Sequence, residues 1–185
     1  MITYDTHVLP YKNQYQKVII PEEKVLKIRD FVTDLIKVKE KENHHLKDNR
    51  SHFKRYFTGM LGEAALEEFL GVTSIIDWSI GESKNFHKPD LQSLGIKAGI
   101  KTVEYGLFPV IFKKSYSPEI IMIKVSNHHI VICGLATSHI LDKYQSIELI
   151  KDSKLRARGT KTGFYGFQHL KTFYDIQSLK EAINS

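Results

Sequence analysis

The sequence predicts an α/β (α+β) domain in which helices flank one central mixed β-sheet. Three observations predict it. Apolar residues recur at helical spacing in two early stretches, within 21–40 and 55–70. From Val72 onward the texture changes to short β-rich runs. Residues 119–135 then form the clearest hairpin in the chain, two continuous apolar runs joined by a polar turn.

The elements follow in order. Val18-Ile19-Ile20 reads as a short strand. Pro21 with Glu22 and Glu23 marks a helix start, because proline suits a first turn and acids suit its positive dipole end. Val25, Ile28, Val32, Leu35 and Ile36 carry that helix to about Glu40. Residues 41–53 are polar and charged and read as a loop or linker. A second helix is expected from about Arg55 to Leu70, with Gly59 and Gly62 allowing close approach to a neighbour and Gly71 as its C-terminal cap.

Thr73 to Trp78 reads as β-rich, Gly81 to His87 as a polar loop, Leu94 to Thr102 as a strand, and Phe108 to Phe112 as a short apolar segment. The runs Glu119–Val125 and Ile130–Leu135 are apolar throughout, as in central strands covered on both faces. Ser138 is expected to cap a short helix to about Tyr144, and Asp175 a last helix to Ile183. No repeat or linker divides the chain. One domain is expected over 1–185: an N-terminal helical extension (1–53), a core (54–150) and a basic aromatic tail (151–185) packed on it.

Composition narrows the function. With 42% hydrophobic and 11% aromatic residues in a 185-residue chain, a packed core is expected. The net charge of +6 is compatible with a polyanionic partner. The single cysteine, Cys133, lies in an apolar run and fits a reduced compartment and a core position. No apolar run approaches the roughly 18 residues of a membrane span. Met1-Ile-Thr-Tyr-Asp shows no basic region followed by an apolar one, so no signal peptide and a cytoplasmic location are expected. The histidine pairs His44-His45 and His128-His129 are adjacent in sequence and lack metal-ligand spacing. No phosphate-binding loop ending in Lys-Ser/Thr is present, which argues against an NTPase.

The chemistry concentrates between Lys88 and Thr102. Pro89-Asp90 is followed by Gly99-Ile100-Lys101-Thr102, an aspartate and a strand lysine that can meet at one end of a sheet. Phosphodiester hydrolysis needs charge neutralisation at the phosphate and an activated water. Carboxylate-held Mg²⁺ supplies both, and a lysine can orient the water or stabilise developing charge. The same two residues also fit a turn aspartate and a solvated strand lysine.

Residues 58–144 resemble the PD-(D/E)xK, or restriction-endonuclease-like, nuclease superfamily in several places and in the correct order. Thr58-Gly-Met-Leu-Gly-Glu-Ala-Ala-Leu-Glu-Glu-Phe-Leu70 resembles its first core helix, Pro89-Asp90 its second core strand, and Gly99-Ile-Lys101-Thr its third. The later hairpin and short helix resemble those of phage- and restriction-type members. The resemblance implies a Mg²⁺- or Mn²⁺-dependent DNA endonuclease, with a cytoplasm that is an infected host cell's if the phage likeness holds. It makes Asp90 the main metal ligand, Lys101 the catalytic lysine, Glu63 the helix acid, and the Ile100 backbone carbonyl a further ligand. Many members act as dimers, so a homodimer is open, although no segment marks an interface.

Gly99 departs from the pattern. Side chains at 99 and 101 share a face of a strand, so the second carboxylate of an acid-x-Lys motif belongs at 99, where glycine supplies none. Three readings stay open. Another acid substitutes: Glu63 first, then Glu104 or Glu82. Or the site keeps a metal with fewer carboxylates and the Ile100 carbonyl. Or catalysis is lost, and the fold binds nucleic acid or regulates another protein. In the tail, Arg156, Arg158, Lys161 and Lys171 are the candidates for phosphate contact, while Phe164, Tyr165 and Phe167 are expected to plug the core.

Overall fold

The structure, a computed structural model, describes residues 1–42, 49–80 and 89–185. Helix α1 (Tyr4–His7), capped by Thr3, leads through a 3-10 segment into strand β1 (Gln16–Ile19). Helix α2 (Glu22–Glu42) begins where Pro21 and the two glutamates predict, and buries Val25, Ile28, Val32 and Ile36 along one stripe. Helix α3 (Asn49–Leu70) packs beside it. Strands β2 (Gly99–Glu104), β3 (Val110–Phe112), β4 (Glu119–Lys124) and β5 (His129–Ala136) follow. The remainder holds α4 (Ser138–Lys143), β6 (Gln145–Ser146), α5 (Ser153–Ala157), β7 (Lys161–Phe164) and α6 (Ile176–Asn184). Asp175 caps α6 as expected, its carboxylate accepting the Ser178 N–H at 2.7 Å.

The strands form two sheets rather than one. The main sheet has the order β1-β5-β4-β2, with β2 parallel to β4 and the other pairs antiparallel. A small antiparallel sheet has the order β3-β7-β6. The continuous apolar runs of β4 and β5 are explained by cover on both faces. Ile120 and Met122 pack with α2, α3 and α6, whereas Ile121 and Ile123 pack with Ile111, Phe164, Ile140 and Val8 of the small sheet, α4 and the N-terminal segment. Phe164 and Phe167 are buried in this second core, as expected, and so is Cys133.

The alternation on β5 is reset by a bulge. Ile121 pairs with Gly134 and Met122 with Ile132, which leaves Cys133 as the extra residue. Gly134 has φ 138°, and a Cβ there would stand 2.8 Å from the Lys171 carbonyl oxygen, so both backbone conformation and space demand glycine. The backbone of Lys171 pairs with Leu135 on this bulged strand.

Several elements differ from the sequence expectation, each for a visible reason. Helix α3 begins at Asn49, inside the expected linker, because Phe53 stacks on Phe57 at 5.4 Å and extends the packed face upstream. Thr73 to Trp78 forms no strand. Its Ile75 and Ile76 N–H groups both donate at 2.9 Å to Glu67, a buried carboxylate that also pairs with Lys24 at 2.9 Å. A side chain has taken the hydrogen bonds a sheet would have used. The N-cap of α4 is Thr137, not Ser138. The N-terminal segment contributes more than a helix, since β1 is an edge of the main sheet, and the basic tail supplies β7, the middle strand of the small one. Gly81 to His87, Glu82, Lys88 and His44-His45 lie outside the described residues.

Candidate active site

The site is built at the N-terminal end of β2, an edge strand. Gly99 N–H donates to the Pro118 carbonyl at 2.9 Å, toward β4. Backbone groups alternate along a parallel strand, so those of the next residue point to the open side. There the Ile100 N–H donates to Asp90 Oδ2 at 2.6 Å, and the alternation sends the Ile100 carbonyl to that side as well. Asp90 is not on a strand, contrary to the expectation from Pro89-Asp90. It lies in a turn ahead of a 3-10 segment, Gln92–Leu94. Leu91 is buried, its N–H donates to the Ala98 carbonyl at 3.3 Å, and its carbonyl accepts the Ile96 N–H at 3.2 Å. This closed loop folds Asp90 back onto the strand that follows it.

Gly99 faces an acid the sequence reading passed over. In the parallel pair β2–β4 its register partner is Glu119, the first residue of β4. A Cβ built at Gly99 would lie 3.4 Å from Asp90 Oδ2 and 3.7 Å from Glu119 Cγ. The empty position on β2 is therefore flanked by two carboxylates, one from the turn and one from the neighbouring strand. Glu119 Oε2 is buried without a hydrogen-bond partner, an arrangement that ordinarily carries a penalty. The available signal was an acid at the mouth of the run Glu119-Ile-Ile-Met-Ile, where a surface strand end would have left it solvated.

Glu63 reaches the same end of the sheet from α3. That helix lies tightly on β2 because residue 62 is glycine: a Cβ there would fall on Thr102 Oγ1. Gly59 makes no such approach. The position of Glu63 shows in its acidity. Burial, and then the charges of Asp90, Glu67 and Asp77, push its carboxyl up to about 8. Asp77, a second acid not singled out in the sequence, thus belongs to the surroundings of this group.

The other two carboxyls are also raised. For Asp90 the cause is burial, opposed by the Ile100 N–H and by Lys101. For Glu119 it is burial and the charge of Asp90, opposed by Lys101 and Lys161. Lys101, two residues beyond Gly99 on the same strand face, is therefore placed between the two acids electrostatically. Lys161, at the start of β7, is a second ammonium felt at Glu119. Its own proton affinity is lowered by burial and by Lys101, and raised by Glu119.

The remaining candidates divide. Glu104 cannot substitute for the missing acid. The strand runs on through it, and it sits at the far end of β2, accepting from Lys124 at 3.0 Å and from Thr58 Oγ1 at 2.9 Å. Arg156 and Arg158 are exposed on and just after α5, which leads into β7. Lys171 stands apart, its ammonium donating to the carbonyl and hydroxyl of Ser185 at 2.6 Å each. His128 sits in the turn between β4 and β5, its ring bonded to the Ile20 carbonyl, and His129 opens β5, its N–H donating to the Ser126 hydroxyl.

Among the described residues, no three His, Cys, Asp or Glu side chains lie close enough, as they stand, to form a ligand set around one ion. The donor chemistry still suits a hard divalent cation. Asp90, Glu119 and the Ile100 carbonyl offer oxygen only, and Mg²⁺ keeps several waters and needs few protein ligands. The partnerless Glu119 Oε2 is the atom such an ion would satisfy. Among the described residues no helix is long and apolar enough to cross a membrane. Comparison of the chain with protein-family models, with curated proteins and with solved structures found no match.

Proposed function

We propose that this protein is a divalent-metal-dependent DNA endonuclease with a PD-(D/E)xK-type site in which the second acid has moved from β2 to β4. The observation that carries the reading is the pairing of Gly99 with Glu119 beside Asp90. Asp90, Glu119 and the Ile100 carbonyl would hold Mg²⁺ or Mn²⁺, with Glu63 behind them. When bound, the ion would neutralise charge on the phosphate and acidify a water.

The chain's own residues have distinct tasks. The Ile100 N–H fixes one oxygen of Asp90 and leaves the other free to ligate. Lys101 orients the attacking water and offsets negative charge on the phosphate. Lys161 adds a second cation beside Glu119, which lowers the repulsion a polyanion meets from the acids. Glu63 holds a proton near neutral pH and can release it when a cation or ammonium approaches. Arg156 and Arg158 extend the positive surface from α5 for the backbone.

The test is cleavage of plasmid, linear, branched and single-stranded DNA with Mg²⁺ or Mn²⁺. Activity is expected to depend on the metal, to vanish in Asp90→Ala and Lys101→Ala, and to fall about 100-fold in Glu119→Gln. If none of these substrates is cut while the protein still binds DNA in a salt-sensitive, metal-independent way, the fold serves as a non-catalytic binding or regulatory module. A homodimer, which cutting two strands would favour, is checked by sedimentation in the same buffers.

A further inference from the structure

Beside the acids lies a feature that hydrolysis alone does not require. Phe112, the last residue of β3, and Tyr116 are exposed at 40% and 79%. Their rings meet edge to face with centroids 5.2 Å apart. The Lys161 ammonium sits 3.0 Å from the centre of the Phe112 ring, and the two residues are register partners in β3–β7. Lys113 and Lys114 between the aromatics are exposed. Tyr116 is three residues before Glu119, so the pair stands next to the proposed cleavage centre.

The segment is held rigidly although its side chains are exposed. Ser115 N–H donates to Asp142 at 2.8 Å, and its hydroxyl donates to the Ser138 carbonyl at 3.2 Å. Lys113 N–H donates to Thr160 at 3.1 Å, and its carbonyl accepts from Gln145 at 2.9 Å. Four hydrogen bonds thus anchor a turn on which the Tyr116 ring faces water, while the Lys161 ammonium covers a face of the Phe112 ring. Exposed rings on an anchored turn give a preformed stacking surface with little ordering entropy left to lose. Tyr116 offers its ring face for stacking, and Phe112, nearly perpendicular to it, holds it from the side. The surrounding lysines select an anionic chain as the carrier of that face.

We infer that Tyr116, held from the side by Phe112, is a stacking platform for an unpaired base next to the scissile phosphate, with Lys161 joining the platform to the acid site, so that the preferred substrate is single-stranded or locally unpaired DNA. This rests on the proposed nuclease reading for its location but not for its test. A base inside an intact duplex has both faces covered by neighbours and cannot use the platform. Duplex DNA would contact only the lysines and arginines.

The test uses the full-length protein in EDTA, so that no cleavage occurs, and a single-stranded oligonucleotide carrying 2-aminopurine. Binding is expected to quench the probe, and Tyr116→Ala and Phe112→Ala are expected to weaken single-strand binding about tenfold each. Tyr116→Phe should bind like wild type, and affinity for a fully paired duplex should be unchanged in all three variants. Equal loss for duplex and single strand, or no loss in either alanine variant, overturns the inference. Tyr116→Ala removes a side chain mostly in solvent, so folding is preserved, and a melting curve checks it. Quenching without metal-dependent cleavage would sink the nuclease reading alone. Cleavage with neutral alanine variants would sink the platform alone.

Discussion

Removing the charge at Glu63 should stabilise the metal-free protein at alkaline pH. The group ordinarily titrates at 4.5, and burial with the nearby acids pushes it up to about 8. A carboxyl whose proton affinity rises on folding works against the folded state once it ionises. Below pH 4.5 it is protonated in both states and makes no difference. Between 4.5 and about 8 the folded chain keeps a proton that the unfolded chain has released, and stability falls as pH rises. Above about 8 the loss is complete. Each pH unit corresponds to about 1.4 kcal/mol, which sets a ceiling of about 5 kcal/mol. Rearrangement of the surroundings and entry of water around the ionised carboxylate reduce the expected effect to about 2 kcal/mol. The assay is urea unfolding of wild type and Glu63→Gln in EDTA at about pH 5 and about pH 9. The glutamine variant should gain about 2 kcal/mol on wild type across that range, and Mg²⁺ should narrow the gap by stabilising the ionised carboxylate. Stabilities that run parallel from acid to alkali would refute the placement of Glu63 among Asp90, Glu67 and Asp77.

The acid can be moved back. Glu119→Gln should lower cleavage about 100-fold, and adding Gly99→Glu should restore part of it, since a side chain at 99 starts at ordinary contact distance from Asp90 and Glu119. No recovery in the double variant, with folding intact, would show that the two positions are not equivalent. At the bulge, Gly134→Ala combines a strained φ with contact against the Lys171 carbonyl and should cost about 3 kcal/mol. Thermal melting within about one degree of wild type would contradict that.

Much of the fold was legible because its signals are local. Periodicity gave α2, the proline and glutamates its start, and the paired apolar runs gave β4 and β5. The failures share a cause, which is competition from residues distant in sequence. Thr73 to Trp78 has strand composition, yet the Glu67 carboxylate takes its N–H groups. Lys161–Phe164 lies in the basic aromatic tail with no strand pattern of its own, yet β3 and β6 make it a strand. Asp90, Lys101 and Glu63 can be singled out as candidates because motif order carries them. Glu119 cannot, since its place beside Gly99 depends on which strand lies next to β2, and a hairpin pattern specifies only its own partner. Lys171 carries its charge in a basic stretch, and the structure gives its ammonium to Ser185.

The parallel pairing of β2 with β4 has a consequence for how such a site can change over time. In an antiparallel pair the beginning of one strand meets the end of the other, so the seat next to a first residue is a last residue. In a parallel pair both strands begin at the same rim, and the first residues of the two form a row. Gly99 and Glu119 are neighbours in that row. An acid lost from one seat can be supplied from the other by a single substitution, with the loop, the lysine and the core left as they were. A search pattern written along one strand will miss such an exchange. A pattern written across the rim would find it.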